Sequence, residues 1–90
     1  MSAQNLTLLR KQISSIDTAI LNLLEERMKL VVQIGRNKKQ MKKPILDTEQ
    51  EDLLLSELKQ KLEVSNLPIE KTLDLWKEIF QISRDIQQKI

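Results

Sequence analysis

Arg27 stands where a helix would bury a hydrophobic side chain. In steps of seven, the N-terminal part of the chain reads Leu6, Ile13, Ile20, Arg27, Ile34. A guanidinium keeps its charge at every physiological pH. Left unpaired in a core it costs several kcal/mol, on the order of a small domain's net stability, so it needs a partner. A parallel line, Arg10, Asp17, Leu24, Val31, Lys38, brings two more cations alongside. Lys38 follows Arg27 by 11 residues, which at about 100° per residue returns it to within about 20° of the same face. Further on, Ile69, Leu73, Trp76 and Phe80 advance by 4, 3 and 4 and run on into Ser83 and Gln87, while Glu51 heads the line Leu55, Leu58, Leu62. Two or three cations, a carboxylate, a hydroxyl and an amide on converging inner faces suggest a pocket for a small dianion. No recognised base or nucleophile accompanies them.

Each residue also has a plainer reading. Arg10 could be solvated in the first turns of a helix. Arg27 could pair with a core glutamate or run its stem along the helix and keep its head in water. Lys38 belongs to the basic stretch RNKKQMKK, and such runs are usually solvated faces. Asp47 suits a helix N-cap, and Glu51 in the first turn is favoured by the helix dipole whatever its role. Ser83 and Gln87 could mark the end of the core.

Composition narrows the chemistry. The chain has 90 residues, enough for a single domain spanning 1–90. It is 40% hydrophobic, 31% charged and 2% aromatic, with one glycine and two prolines, a mix that fits an all-α protein. Without cysteine or histidine there is no disulfide, no thiolate catalyst, and none of the commonest metal ligands or general bases. No cofactor and no metal are expected. A net charge of +2 argues weakly for nucleic acid, and no aromatic platform supports the basic stretch in that role. No apolar run reaches the roughly 20 residues that span a bilayer. The opening MSAQNLTLLR lacks the pattern of a signal peptide, so a cytoplasmic protein without membrane partners is expected.

The positioning elements are three helices. Apolar residues at helical spacing predict a first helix over about residues 6–38, running through Gly35, which is either a C-cap or a point of close backbone approach. Residues 39–46, KQMKKPIL, read as a loop. Asp47, with Gln50 three residues on, opens a second helix that buries Leu54, Leu55, Leu58 and Leu62. SNLP at 65–68 ends it, with Pro68 in the first turn of a third. The first helix would be about 50 Å long, whereas a compact chain of this size is about 30 Å across. Its excess stripe needs cover, most simply a second copy of the same helix, antiparallel, in a two-fold dimer. Arg10 and Arg27 lie about 25 Å apart on one helix, but an antiparallel partner could bring Arg10 of one chain to Arg27 of the other.

In that order, the pieces resemble the all-helical chorismate mutase family. LRKQISSIDTAILNLLEERMKLVVQIGRNKK is similar to the family's long first helix, with its L-R-x-x-I-x-x-I-D opening, L-L-x-x-R centre and G-x-x-K end. PILDTEQE resembles the loop and helix start that follow, and IFQISRDIQQ the end of the third helix. One position departs. The family commonly reads D-x-x-R-E where this chain has Asp47-Thr48-Glu49-Gln50-Glu51, so an auxiliary cation is missing.

The resemblance implies an intertwined helical homodimer with two shared sites that converts chorismate, a small dicarboxylate, to prephenate. It assigns Arg27, and Arg10 from the neighbouring chain, to the two carboxylates. Lys38 falls on a carboxylate and the ether oxygen whose bond breaks, and Gln87 on that oxygen from the other side. Glu51 would hold the ring hydroxyl with help from the region of Asp47, and Ser83 would lie by the ring carboxylate. Isochorismate pyruvate lyase shares the fold and the cationic pocket and is the nearest rival. A non-catalytic helical dimer regulating another shikimate-pathway enzyme is a rival of a different kind.

Overall fold

A computed structural model describes residues 3–90, with side chains from Asn5 onward. Among these residues the fold is three helices, α1 Ala3–Gln40, α2 Thr48–Glu63 and α3 Ile69–Gln88. The chain divides into two compact units, Met1–Leu30 and Val31–Ile90.

The first unit is the N-terminal part of α1. It is rich in Leu, Ile and straight-chain polar residues and has neither Gly nor Pro, so nothing interrupts the helix. Its stripe, Leu6, Leu9, Ile13, Ile16, Ile20 and Leu23, is 41% to 63% exposed. Leu24, Arg27 and Met28 are half-buried. The periodicity expected to bury this stripe is present, but within the unit the stripe has nothing to pack against.

The second unit holds the last ten residues of α1 with α2 and α3. Among the described residues it contains every buried side chain: Val31, Leu62, Leu73, Ile79, Phe80 and Gln87. Lys38 and Lys39 in the last turn of α1 complement the helix dipole. The helix ends in a Schellman turn. Lys43 N–H donates to Lys38 O at 2.8 Å, Lys42 N–H donates to Lys39 O at 3.2 Å, and Lys42 takes the left-handed conformation at φ 55°. That position is usually glycine. With lysine there, the sequence carries no stop signal, and the helix runs to Gln40, past the expected end near residue 38.

Asp47 caps α2 as expected, its Oδ1 accepting from the Gln50 N–H at 3.1 Å. At the far end Ser65 closes the helix. Its N–H and Oγ both donate to Leu62 O, at 3.0 and 2.8 Å, and its Oγ accepts from Leu67 N–H at 3.2 Å. Pro68 sits one residue earlier than expected, extended at the N-cap of α3, with its carbonyl accepting from Thr72 N–H at 3.1 Å. The α2–α3 hairpin buries Leu62 of α2 and Leu73, Ile79 and Phe80 of α3, with Leu54, Leu55, Leu58 and Trp76 half-buried.

Gly35 is a point of close approach and not a C-cap. It is buried inside α1, and a Cβ there would come within 2.9 Å of both Gln87 Cγ and Ile90 Cδ1. The lack of a side chain lets the end of α3 lie against this turn of α1.

Candidate active site

In the second unit the end of α3 and the last turns of α1 bring Lys38 and Gln87 to one recess of about 270 Å³, with Gly35, Lys39 and Lys43 also in its wall. Both side chains are held. Gln87 is 8% exposed, and its Nε2 donates to Val31 O at 3.1 Å. That bond fixes which way the amide faces and leaves its second N–H to give. Lys38 is half-buried, and its Nζ donates to Ile45 O at 2.8 Å. The same residue's backbone carbonyl anchors the Schellman turn, so the loop after α1 fixes the lysine at both ends. Two ammonium hydrogens remain to donate. A second recess of about 510 Å³ also has Lys38 and Lys43 in its wall, together with Asp47 and Thr48.

Ser83 is half-buried one turn before Gln87, with its Oγ donating to Ile79 O at 2.9 Å. Asp47 is exposed and works as the cap of α2. Glu51 is half-buried and forms an ion pair with Arg84 of α3, the two side chains being 25% and 22% exposed. Arg84 is held in turn by Gln81, whose Oε1 accepts from its second terminal nitrogen at 2.8 Å. Sequence reasoning overlooked Arg84. Its signal was present: residue 84 lies four after Phe80 and three before Gln87, both buried, so it shares their face.

In the first unit Arg10 is exposed. Arg27 is half-buried, and burial pushes its guanidinium below the usual arginine value. It remains a cation at physiological pH. Among the described residues no group of three or more His, Cys, Asp or Glu could hold a metal ion. In the second unit the recess thus offers a cationic donor, Lys38, and a neutral one, Gln87, and Glu51 is a carboxylate already paired with Arg84.

Residues 9–88 match the family model for chorismate mutase type II. The chain belongs to the chorismate mutase type II family. Among solved structures, the chorismate mutase of Thermus thermophilus is similar in both of two forms. Form II gives a TM-score of 0.88 at 33% identity, over 93% of this chain and 94% of that one. Form I gives 0.82 at 34%, over 88% and 98%. Two curated relatives are longer proteins. The T-protein of Enterobacter agglomerans is 33% identical over 87% of this chain, and the bifunctional chorismate mutase/prephenate dehydratase of Buchnera aphidicola (subsp. Schizaphis graminum) is 34% identical over 99%. The chain spans 21% and 23% of these two relatives' own lengths. The family match covers both units and includes every candidate site residue, from Arg10 to Gln87.

Proposed function

We propose that the chain rearranges chorismate to prephenate, working as a homodimer whose two sites each draw on both subunits, with the two units acting as one domain. The observation that carries this reading is the shared recess of Lys38 and Gln87, each anchored to a backbone carbonyl and each with a donor to spare. The reaction breaks the ether C–O bond as a C–C bond forms to the ring, without proton transfer or a covalent intermediate. Two tasks fall to the protein. It holds the enolpyruvyl arm over the ring, which is a matter of orientation. It also favours the negative charge that builds on the ether oxygen, which preorganised donors do best because they need no reorganisation.

Lys38 and Gln87 are those donors. Arg27 and Arg10 of the partner subunit bind the two carboxylates, Ser83 lies beside the ring carboxylate, and Glu51 accepts the ring hydroxyl next to the cap at Asp47. The exposed stripe of α1 supports the dimer. Covering the exposed half of a Leu or Ile is worth about 1 kcal/mol, so six such positions in two copies gain on the order of 10 kcal/mol. No cofactor is needed for any of these steps.

The test is a spectroscopic assay of chorismate disappearance on the purified chain, beside its solution mass. Prephenate formation by a species of twice the chain mass is the expected result. Absence of prephenate, or salicylate formed from isochorismate in its place, would overturn the reading.

A further inference from the structure

We infer that Arg84 is a positioning residue for Glu51, setting the carboxylate that receives the substrate's ring hydroxyl; this rests on the mutase reading above. Three observations lead there. Glu51, in the first turn of α2, pairs with Arg84 near the end of α3, and the two side chains are 25% and 22% exposed, so the pair is largely withdrawn from water. The guanidinium is itself oriented: Gln81 Oε1 accepts from its second terminal nitrogen at 2.8 Å, and Gln81 Nε2 donates to Asp85 Oδ1 at 2.9 Å. Finally, Arg84 reaches one carboxylate oxygen, Oε2, through one terminal nitrogen.

A carboxylate on a flexible glutamate stem has two acceptor oxygens and several rotamers. Fixing Oε2 with a charge-assisted bond leaves Oε1 as the acceptor for a hydroxyl and removes most of the rotational freedom that would otherwise be lost when substrate binds. Asp85, Gln81 and Arg84 thus form a brace along one face of α3 that ends on Glu51 of α2. Arg84 adjoins Ser83, so the helix turn that presents the hydroxyl also presents the brace. Arg84 acts through Glu51 and does not itself touch the substrate.

A plain tie between the two helices would use the same ion pair, so the test separates the two roles. Steady-state kinetics with chorismate are measured for the wild type, Arg84→Met, Glu51→Gln and the double variant, with thermal unfolding of each. Arg84→Met is expected to lower kcat/KM roughly tenfold to a hundredfold, the usual range for losing a charge-assisted hydrogen bond, mainly through KM. In the Glu51→Gln background the same change should cost less than about twofold, because the group it positions is already altered. Arg84→Lys, which restores the charge, should recover part of the loss. Equal losses in both backgrounds, or a lowered Tm with unchanged kcat/KM, would overturn the proposal. If Arg84→Met fails to fold, Arg84→Lys carries the same comparison with a smaller expected loss. An active wild type with additive losses sinks this inference alone, whereas a wild type that leaves chorismate untouched sinks the mutase reading as well.

Discussion

Lys38 carries more of the account than any other side chain, because its ammonium is tethered to Ile45 O while its carbonyl holds the Schellman turn. Removing a preorganised donor to a developing oxyanion costs roughly 100- to 1,000-fold in turnover. Lys38→Ala should lose at least that much kcat, with circular dichroism and solution mass unchanged; near-normal turnover would remove the lysine from the mechanism. Arg27→Ala should be at least as damaging, since it deletes a half-buried cation that the proposed mechanism places on a substrate carboxylate. Gln87 makes a prediction about pH. An amide does not titrate, so kcat/KM should show no limb that demands a protonated group at this position. In Gln87→Glu only the protonated acid can donate, so activity should be highest at acid pH and fall as the carboxyl ionises. At this scale the withdrawal of polar residues from water was legible where they interrupted apolar stripes, as with Arg27, Ser83 and Gln87. Arg84 escaped because it sits one position after Ser83, and its partner lies 33 residues away on another helix. Glu51 was read as an acceptor without its ion-pair partner for the same reason.

Between elements, Gly35 is the contact where packing and chemistry meet. Gly35→Ala gains about 1 kcal/mol of helix propensity but drives a methyl into Gln87 Cγ at 2.9 Å, where overpacking costs about 1–3 kcal/mol. The net is a loss of between nothing and about 2 kcal/mol, so the Tm should hold or fall, by up to about 8 °C. Turnover should fall at least tenfold, because Gln87 must shift off the recess. A variant with full activity would show that the position of Gln87 is not set by this contact. The turn after α1 offers an independent check. Lys42 bears a left-handed strain of about 1 kcal/mol that Lys42→Gly would relieve, less a few tenths for glycine's extra freedom when unfolded. At equal protein concentration the Tm should rise by about 2–4 °C; a fall would mean that the Lys42 side chain contributes more than its backbone costs. The helices themselves were legible from spacing, and the α2 cap from Asp47 with Gln50. The end of α1 and the placing of Pro68 were each displaced by a residue or two, because a lysine at the left-handed position gives no local signal and a proline serves as well just before a helix as just inside it.

For the molecule as a whole, the exposed line from Leu6 to Leu23 is what a lone chain leaves unresolved. Its helical spacing was plain in the sequence, but spacing alone does not say whether a face is covered by its own chain or by another. In the proposed dimer a second copy covers it and also brings Arg10, exposed on its own chain, to a neighbour's site. Ile16→Glu, in the middle of that line, should halve the solution mass and abolish turnover without altering any proposed substrate contact. The most direct measurement of sites shared between subunits is complementation. Arg10→Ala and Lys38→Ala are purified separately, then mixed, partly unfolded and refolded together. Random pairing makes about half the dimers mixed, and in each of these one of the two sites has both groups intact, so activity should return to about a quarter of the wild-type value from two nearly inactive parents. Activity that stays at the level of the parents would contradict the account, placing Arg10 and Lys38 in the service of sites within a single chain.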